Sequence, residues 1–359
     1  MKTIFIAPLN WGLGHATRDL PLIKAFLERG DKVIIAAHDR AKMLLEPEVP
    51  QCEFVDFPEY PIRYPRTSFF VTRFMFIVFP QMLMAMYKEK NRLKELNDKY
   101  NFDYIISDNR FCLYLKGVKS YLISHQLRYK LPQPVTKLEF LPEYFTYSYF
   151  KNYDKILIPD SDDPDSLTGE LSHSMRYLPN ENLHYSGILN DVHSKSEKIE
   201  KDIDYFIIVS GPEPQRTKLE RIIFKQVNSL PGNIVVALGM PEKNYKISQG
   251  NATFYTYLNR EQMHEYLKRS KFIISRPGYT TVMEMIQFGL EGLFIPTPGQ
   301  IEQVYLAKYY EEKKWCHCVS QYKLDLANDV ENANKYKGFP ESLAKSETNV
   351  KALLGGYFS

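Results

Sequence analysis

Lys271-Phe-Ile-Ile-Ser275, Arg276-Pro-Gly-Tyr-Thr-Thr281 and Val282-Met-Glu284 form one continuous stretch, and its reading decides the fold. The first five residues make a short apolar strand. Gly278 then lets the backbone pass close to a ligand, and the amphipathic helix that follows offers unpaired N–H groups and the positive end of its dipole. A diphosphate fits such a place. Glu284 stands about one turn into that helix, where a carboxylate can accept hydrogen bonds from ribose hydroxyls. The same residues carry a plainer reading, because Thr281-x-x-Glu284 has the spacing of a capping box.

Working outward, the strands Tyr205-Phe-Ile-Ile-Val209, 233–238, 253–257 and 293–295 alternate with helical segments, among them Thr217 to Ser229, and place the stretch in an α/β domain. The N-terminal half repeats the alternation. Residues 2–7 and 32–37 read as strands flanking a helix from Arg18 to Arg29, and 103–107, 120–124 and 155–159 supply further short buried strands. Between the halves, Ser194 to Asp204 is charged and poor in large apolar residues, as a linker is. The expected division is therefore 1–193, a linker at 194–204, and a second α/β domain from 205. Ligands of such sheets bind beyond the carboxyl ends of the strands, which points to the cleft between the two domains.

A length of 359 residues accommodates two domains of about 150 residues each. A formal charge of +3 gives no argument for nucleic acid but suits an anionic substrate or lipid surface. Four cysteines and an N-terminus that runs straight into a strand, without a secretory leader, predict a cytoplasmic protein. Cys316-His-Cys318 lacks the second ligand pair of a zinc site. Asp160, Asp162, Asp163 and Asp165 follow a strand and have the chemistry to hold Mg²⁺ or Mn²⁺. With Ser161 and Pro164 they read better as a turn, and no metal is expected. Residues 69–87 are apolar on nearly every side and are flanked by Arg63, Arg66, Lys88 and Lys90. Arg73, Pro80 and Gln81 argue against a membrane span, which leaves a helix buried on the sheet or a patch that meets an anionic membrane.

Chemistry concentrates at strand ends. After the first strand comes Asn10-Trp-Gly12-Leu-Gly14-His15-Ala-Thr-Arg18, where an imidazole on a glycine-rich turn can serve as general base. Thr17 replaces the third glycine of a dinucleotide fingerprint, although Asp39 keeps an NAD-type reading open. In the second domain, Ser210-Gly211-Pro212-Glu213-Pro214-Gln215-Arg216 forms a shaped turn in which Arg216 offers a fork for phosphate. His125 and His173 lie after or near strand ends of the first domain and can line an acceptor pocket.

Gly12-x-Gly14-His15, Arg276-x-Gly278-x-x-Thr281-x-x-Glu284 and Pro296 to Gln303 together resemble glycosyltransferases of the GT-B fold, nearest to the branch of MurG and the UDP-glucuronosyltransferases. The resemblance implies two Rossmann-like domains facing across a cleft. The acceptor would bind the N-terminal one, a nucleotide-sugar with UDP foremost the C-terminal one at 205–335, and the segment 336–359 would return to the first domain. No metal or other cofactor would be required. Gly211, Arg216, Arg276, Gly278, Tyr279, Thr280, Thr281, Glu284, Gln300 and Gln303 would hold the donor, with Arg276 a permanent cation beside the diphosphate. Asn10, Gly12, Gly14, Asp108 and His125 would line the acceptor side. His15 would be the base of an inverting displacement, and a lipid-linked acceptor would account for residues 69–87 at the inner face of a membrane. A nucleotide-sugar 2-epimerase or hydrolase of similar fold, or a non-catalytic nucleotide-binding subunit, are the alternatives.

Overall fold

Apolar runs such as Ile4-Phe-Ile-Ala7, buried on both faces, form strands because β-branched and aromatic side chains pack well on a pleated surface. The structure is a computed structural model that describes residues 1–10, 13–60, 78–131, 135–190, 199–240, 243–343 and 346–358. It divides into one unit of Met1–Asp191 with Ser346–Ser359 and another of Val192–Lys345.

The first unit runs β1 (Thr3–Pro8), α1 (Leu13–Glu28), β2 (Lys32–Ala36), α2 (Asp39–Glu48), β3 (Glu53–Val55), α3 (Phe79–Tyr100), β4 (Tyr104–Asp108), β5 (Lys119–Ile123), α4 (Phe140–Phe150), β6 (Lys155–Ile158) and β7 (Leu183–Tyr185). The seven strands are all parallel, in the order β3-β2-β1-β4-β5-β6-β7. Ile6 sits between Ile35 and Ile106 at the centre of the sheet. The helix expected from Arg18 begins instead at Leu13, so Gly14 and His15 occupy its first turn. Ala16, Leu20 and Ile23 are fully buried, and this spacing carries the apolar stripe back past Arg18.

The second unit runs β8 (Ile203–Ile208), α5 (Gln215–Gln226), β9 (Ile234–Ala237), β10 (Lys246–Gln249), β11 (Ala252–Tyr255), α6 (Arg260–Arg269), β12 (Ser270–Ser275), α7 (Tyr279–Gln287), β13 (Glu291–Phe294), α8 (Ile301–Glu312), β14 (His317–Cys318) and α9 (Leu326–Ala333). Its sheet has the order β10-β11-β9-β8-β12-β13-β14, and β10 alone is antiparallel among the described strands. Of the segment read as a linker, residues 194–198 lie outside the described residues. β8 opens at Ile203 rather than after 204, because Ile203 is buried and pairs with Ser270.

The chain then returns. α10 (Ser346–Tyr357) places Val350, Leu353 and Phe358 in the core of the first unit, with the Phe358 ring 5.1 Å from Phe26 and the Tyr121 hydroxyl donating to Tyr357 O at 2.9 Å. The return starts later than residue 336, since Phe339 still packs on Tyr310 and Trp315 of the second unit.

Of the segment 69–87, residues 69–77 lie outside the described residues. The rest begins α3, which buries Met82, Ala85 and Met86 and leaves Leu83, Met84 and Tyr87 exposed. Among the described residues no helix is long and apolar enough to cross a membrane.

Candidate active site

In the first sheet the strand order reverses between β1 and β4, which opens a crevice beyond their carboxyl ends. Asn10 follows β1, Asp108 ends β4, and His125 comes just after β5, so three adjacent strands deliver the acceptor-side residues to one place. Gly12 lies outside the described residues. His15 Nδ1 is 2.9 Å from Asp108 Oδ1. With its proton on Nδ1 the imidazole donates to Asp108, and Nε2 keeps its lone pair.

Arg18, one turn on from His15, is buried in the same cluster. Its Nε donates to Asp108 Oδ2 at 3.2 Å and its Nη2 to Asp108 Oδ1. The same Nη2 lies 3.0 Å from His15 Nδ1, a contact that is not a hydrogen bond while that nitrogen carries the proton it gives to Asp108, and Nη1 is 2.8 Å from His125 Nδ1. Because a guanidinium only donates, Nδ1 of His125 must accept, which fixes that ring's tautomer. Burial alone would raise the Asp108 carboxyl, but the Arg18 charge and then His15 hold it well below the usual carboxylate range. Asp19 is the opposite case. Burial first and the Asp108 charge second push its carboxyl well up against the pull of Arg18.

The second sheet reverses between β8 and β12, and the loops after β8, β12 and β13 gather beyond the strand ends. Gly278 is the N-cap of α7, with no side-chain cap, and Tyr279, Thr280 and Thr281 form the first turn. The capping-box reading of Thr281 and Glu284 is therefore corrected: Thr281 is already inside the helix, and Glu284 lies in its second turn. The Glu284 carboxylate is largely buried and has no hydrogen-bond partner among the described residues. Gly278 has an ordinary φ of −72°, so its freedom at positive φ is not used. A Cβ there would meet only Thr281 Oγ1 at 3.9 Å, so nothing in the fold itself demands glycine. At Gly211 the fold does demand it, with φ at +112° and Thr297 Oγ1 3.3 Å from a would-be Cβ.

Two cations expected to meet phosphate are already committed. Arg276 is buried, and its five N–H groups have acceptors in Ser210 O, Ile295 O, Pro296 O, Gln215 O and Gln321 Oε1. It is a strut that ties the loops together, with no donor left over for a diphosphate. Arg216 pairs with Glu213 at 2.7 Å and Glu220 at 2.9 Å, and also donates to Leu238 O and Thr217 Oγ1. Gln303 turns its Oε1 onto Thr297 N at 2.9 Å, and Gln300 is the N-cap residue of α8. In the first unit, Asp160 accepts from the backbone N–H groups of Ser161, Leu167 and Thr168 and from the Thr168 hydroxyl, which makes it the centre of a turn.

Residues 188–353 match the glycosyltransferase family 28 C-terminal domain. A protein of Methanosarcina acetivorans described as an uncharacterized glycosyltransferase is 24% identical over 328 residues, covering 86% of this chain and 83% of its own. The chain is a glycosyltransferase of the GT-B fold. The spinosyn rhamnosyltransferase SpnG superposes on this transferase with a TM-score of 0.63 at 14% identity, over 100% of both chains. SpnG complexed with thymidine diphosphate gives 0.60 at 13% identity over 98% and 96%. MurG of Acinetobacter baumannii gives 0.54 at 14% identity, over 98% of this chain and 94% of its own. Among residues of the transferase that the sequence did not mark as site residues, Arg18 lies 3.0 Å from His15 and Asp19 interacts with Asp108 and Arg18. Their signal was the helical spacing from His15, legible only once the helix is known to start at Leu13.

Proposed function

We propose that the transferase moves a sugar from a nucleoside diphosphate donor, a UDP-sugar foremost, onto an acceptor hydroxyl, with inversion and without a metal ion. The single observation that carries this is Glu284: a largely buried carboxylate that accepts no hydrogen bond among the described residues, in the second turn of a helix that Gly278 starts without a side-chain cap. Ribose hydroxyls would satisfy the Glu284 carboxylate, with the diphosphate at the positive end of the helix. That SpnG is known as a complex with thymidine diphosphate supports the nucleotide class.

In this reading His15 Nε2 takes the proton of the acceptor hydroxyl as its oxygen bonds to the anomeric carbon. The bond from that carbon to the phosphate oxygen breaks, and its electron pair leaves with the diphosphate. The charge that develops there faces the positive end of α7. Arg276 acts at one remove, by holding the loops that shape the site. Asp108 orients the imidazole and balances the imidazolium that forms.

An acceptor held at an anionic membrane surface, on the cytoplasmic side, fits the exposed Leu83, Met84 and Tyr87 of α3. Phe79 packs 5.2 Å from Phe145 of α4, whose own Phe140, Leu141 and Tyr144 are exposed, with Lys88 and Lys137 beside these residues in the chain.

The test is a thermal-shift screen against UDP-, GDP-, TDP- and CMP-sugars, followed by calorimetry on the best. Stabilisation by one nucleotide class that is lost in Glu284→Ala is the expected result. Absence of any shift at millimolar ligand overturns the reading.

A further inference from the structure

His264 lies on α6, outside the motif that carries Glu284. The start of α6 is held by a reciprocal cap, in which Asn259 Oδ1 accepts from Gln262 N at 2.9 Å and Gln262 Oε1 from Asn259 N at 3.0 Å. Anchored in this way, the helix carries its imidazole against α7, with the ring 6.1 Å from that of Phe288 and Nε2 3.8 Å from Glu284 Oε1. That separation exceeds a hydrogen bond. Among the described residues His264 Nε2 is shut off from solvent without a hydrogen bond, and the Glu284 carboxylate accepts none either, meeting His264 only at ion-pair range. An enclosed polar nitrogen without a hydrogen bond calls for an explanation, and a carboxylate facing it just beyond hydrogen-bond reach supplies one.

We propose that His264 is a positioning residue for the nucleotide: its Nε2–H closes onto Glu284 when ligand binds and holds the carboxylate with its free lone pairs toward a vicinal diol, the ribose of a nucleoside diphosphate. This rests on the nucleotide reading given above and names the residue that sets its preference for ribose over 2′-deoxyribose. The geometry suits that ligand. Glu284 is six residues beyond Gly278, or about 9 Å along the helix axis, a distance that a nucleotide bridges between its phosphates and its ribose hydroxyls. A carboxylate that accepts from both hydroxyls needs a fixed rotamer, and a donor on a neighbouring helix supplies it. A plainer role for His264 is packing, with the ring merely wedged between α6 and Phe288.

The experiment measures dissociation constants by calorimetry for UDP, GDP, ADP and CDP and their 2′-deoxy forms, with wild type, His264→Ala, His264→Gln and Glu284→Gln. Melting temperatures are taken in parallel. For the best-bound pair the wild type is expected to prefer ribose about tenfold, the size of one hydrogen bond to a charged group. His264→Ala removes that preference by weakening the ribonucleotide alone, and His264→Gln, which keeps a donor of similar reach, restores most of it. Equal loss for ribose and deoxyribose forms, or a fall in melting temperature with the preference intact, assigns His264 to packing and overturns the proposal. If Glu284→Gln weakens binding while both His264 variants match wild type, the proposal fails and the nucleotide site stands. A wild type that binds none of the eight overturns both.

Discussion

His15 Nδ1 and Asp108 Oδ1 stand 2.9 Å apart although 93 positions separate them in the chain. The parallel pairing of β1 with β4, Pro8 beside Asp108, brings them together at the strand ends. His15→Ala should lower kcat by about 10²- to 10⁴-fold, the range of general base catalysis, with donor affinity unchanged. Steady-state kinetics beside calorimetry check this, and an unaltered kcat removes His15 from the chemistry.

Asp108→Asn should lower catalysis and stability together. It leaves the buried Arg18 without its carboxylate, so a loss of about 3 kcal/mol in stability should accompany the loss of kcat. His15→Ala should lack this effect, because the Arg18–Asp108 pair survives. Urea unfolding of both variants provides the comparison.

Asp19 should make the protein less stable as pH rises. Its folded carboxyl binds a proton more tightly than the unfolded one, near 3.9. The stabilisation is therefore complete below that value and is lost as pH climbs through the raised folded pKa. Asp19→Asn removes the titration, and the stability of this variant should fall less between pH 4 and 8. Parallel slopes for wild type and variant would show that Asp19 does not titrate in that window.

Two glycines should respond in opposite ways to alanine. Gly211→Ala should cost about 1–2 kcal/mol of stability, because its φ of +112° is strained for any residue with a Cβ. Gly278→Ala should leave the melting temperature unchanged and weaken donor binding, since its Cβ finds space in the fold but would stand at the ligand's place. Thermal melts and nucleotide titrations of the pair decide it.

If the face of α3 and α4 meets a membrane, the protein should sediment with phosphatidylglycerol vesicles at low salt and be released at high salt. Changing Leu83, Met84 and Tyr87 to Ser should abolish sedimentation without lowering the melting temperature, since all three are exposed. Equal sedimentation of wild type and variant would assign the membrane contact elsewhere.

Local order was legible because it is written in neighbouring residues. Apolar runs such as 272–275, the glycine before α7 and the position of Glu284 one to two turns along it follow from periodicity and turn chemistry. The short strands β3, β7, β10 and β14 were not, because two to four residues carry too little pattern and depend on an edge to pair with. The start of α1 was missed for a related reason. Gly12 and Gly14 read as a turn, yet burial of Ala16 and Leu20 on the sheet outweighs the low helix propensity of glycine.

What the sequence determined by itself was an α/β chain in two parts, with a phosphate-friendly helix start near Gly278 and a histidine after the first strand. Only the tertiary structure decided which charges remain available. Arg276 and Arg216 look alike as phosphate ligands until carbonyls and carboxylates from other segments are seen to take their donors, while Glu284 keeps its lone pairs. The physical reason is that helix and strand periods depend on residues a few positions apart. Whether a polar atom is already satisfied depends on partners brought together from distant parts of the chain.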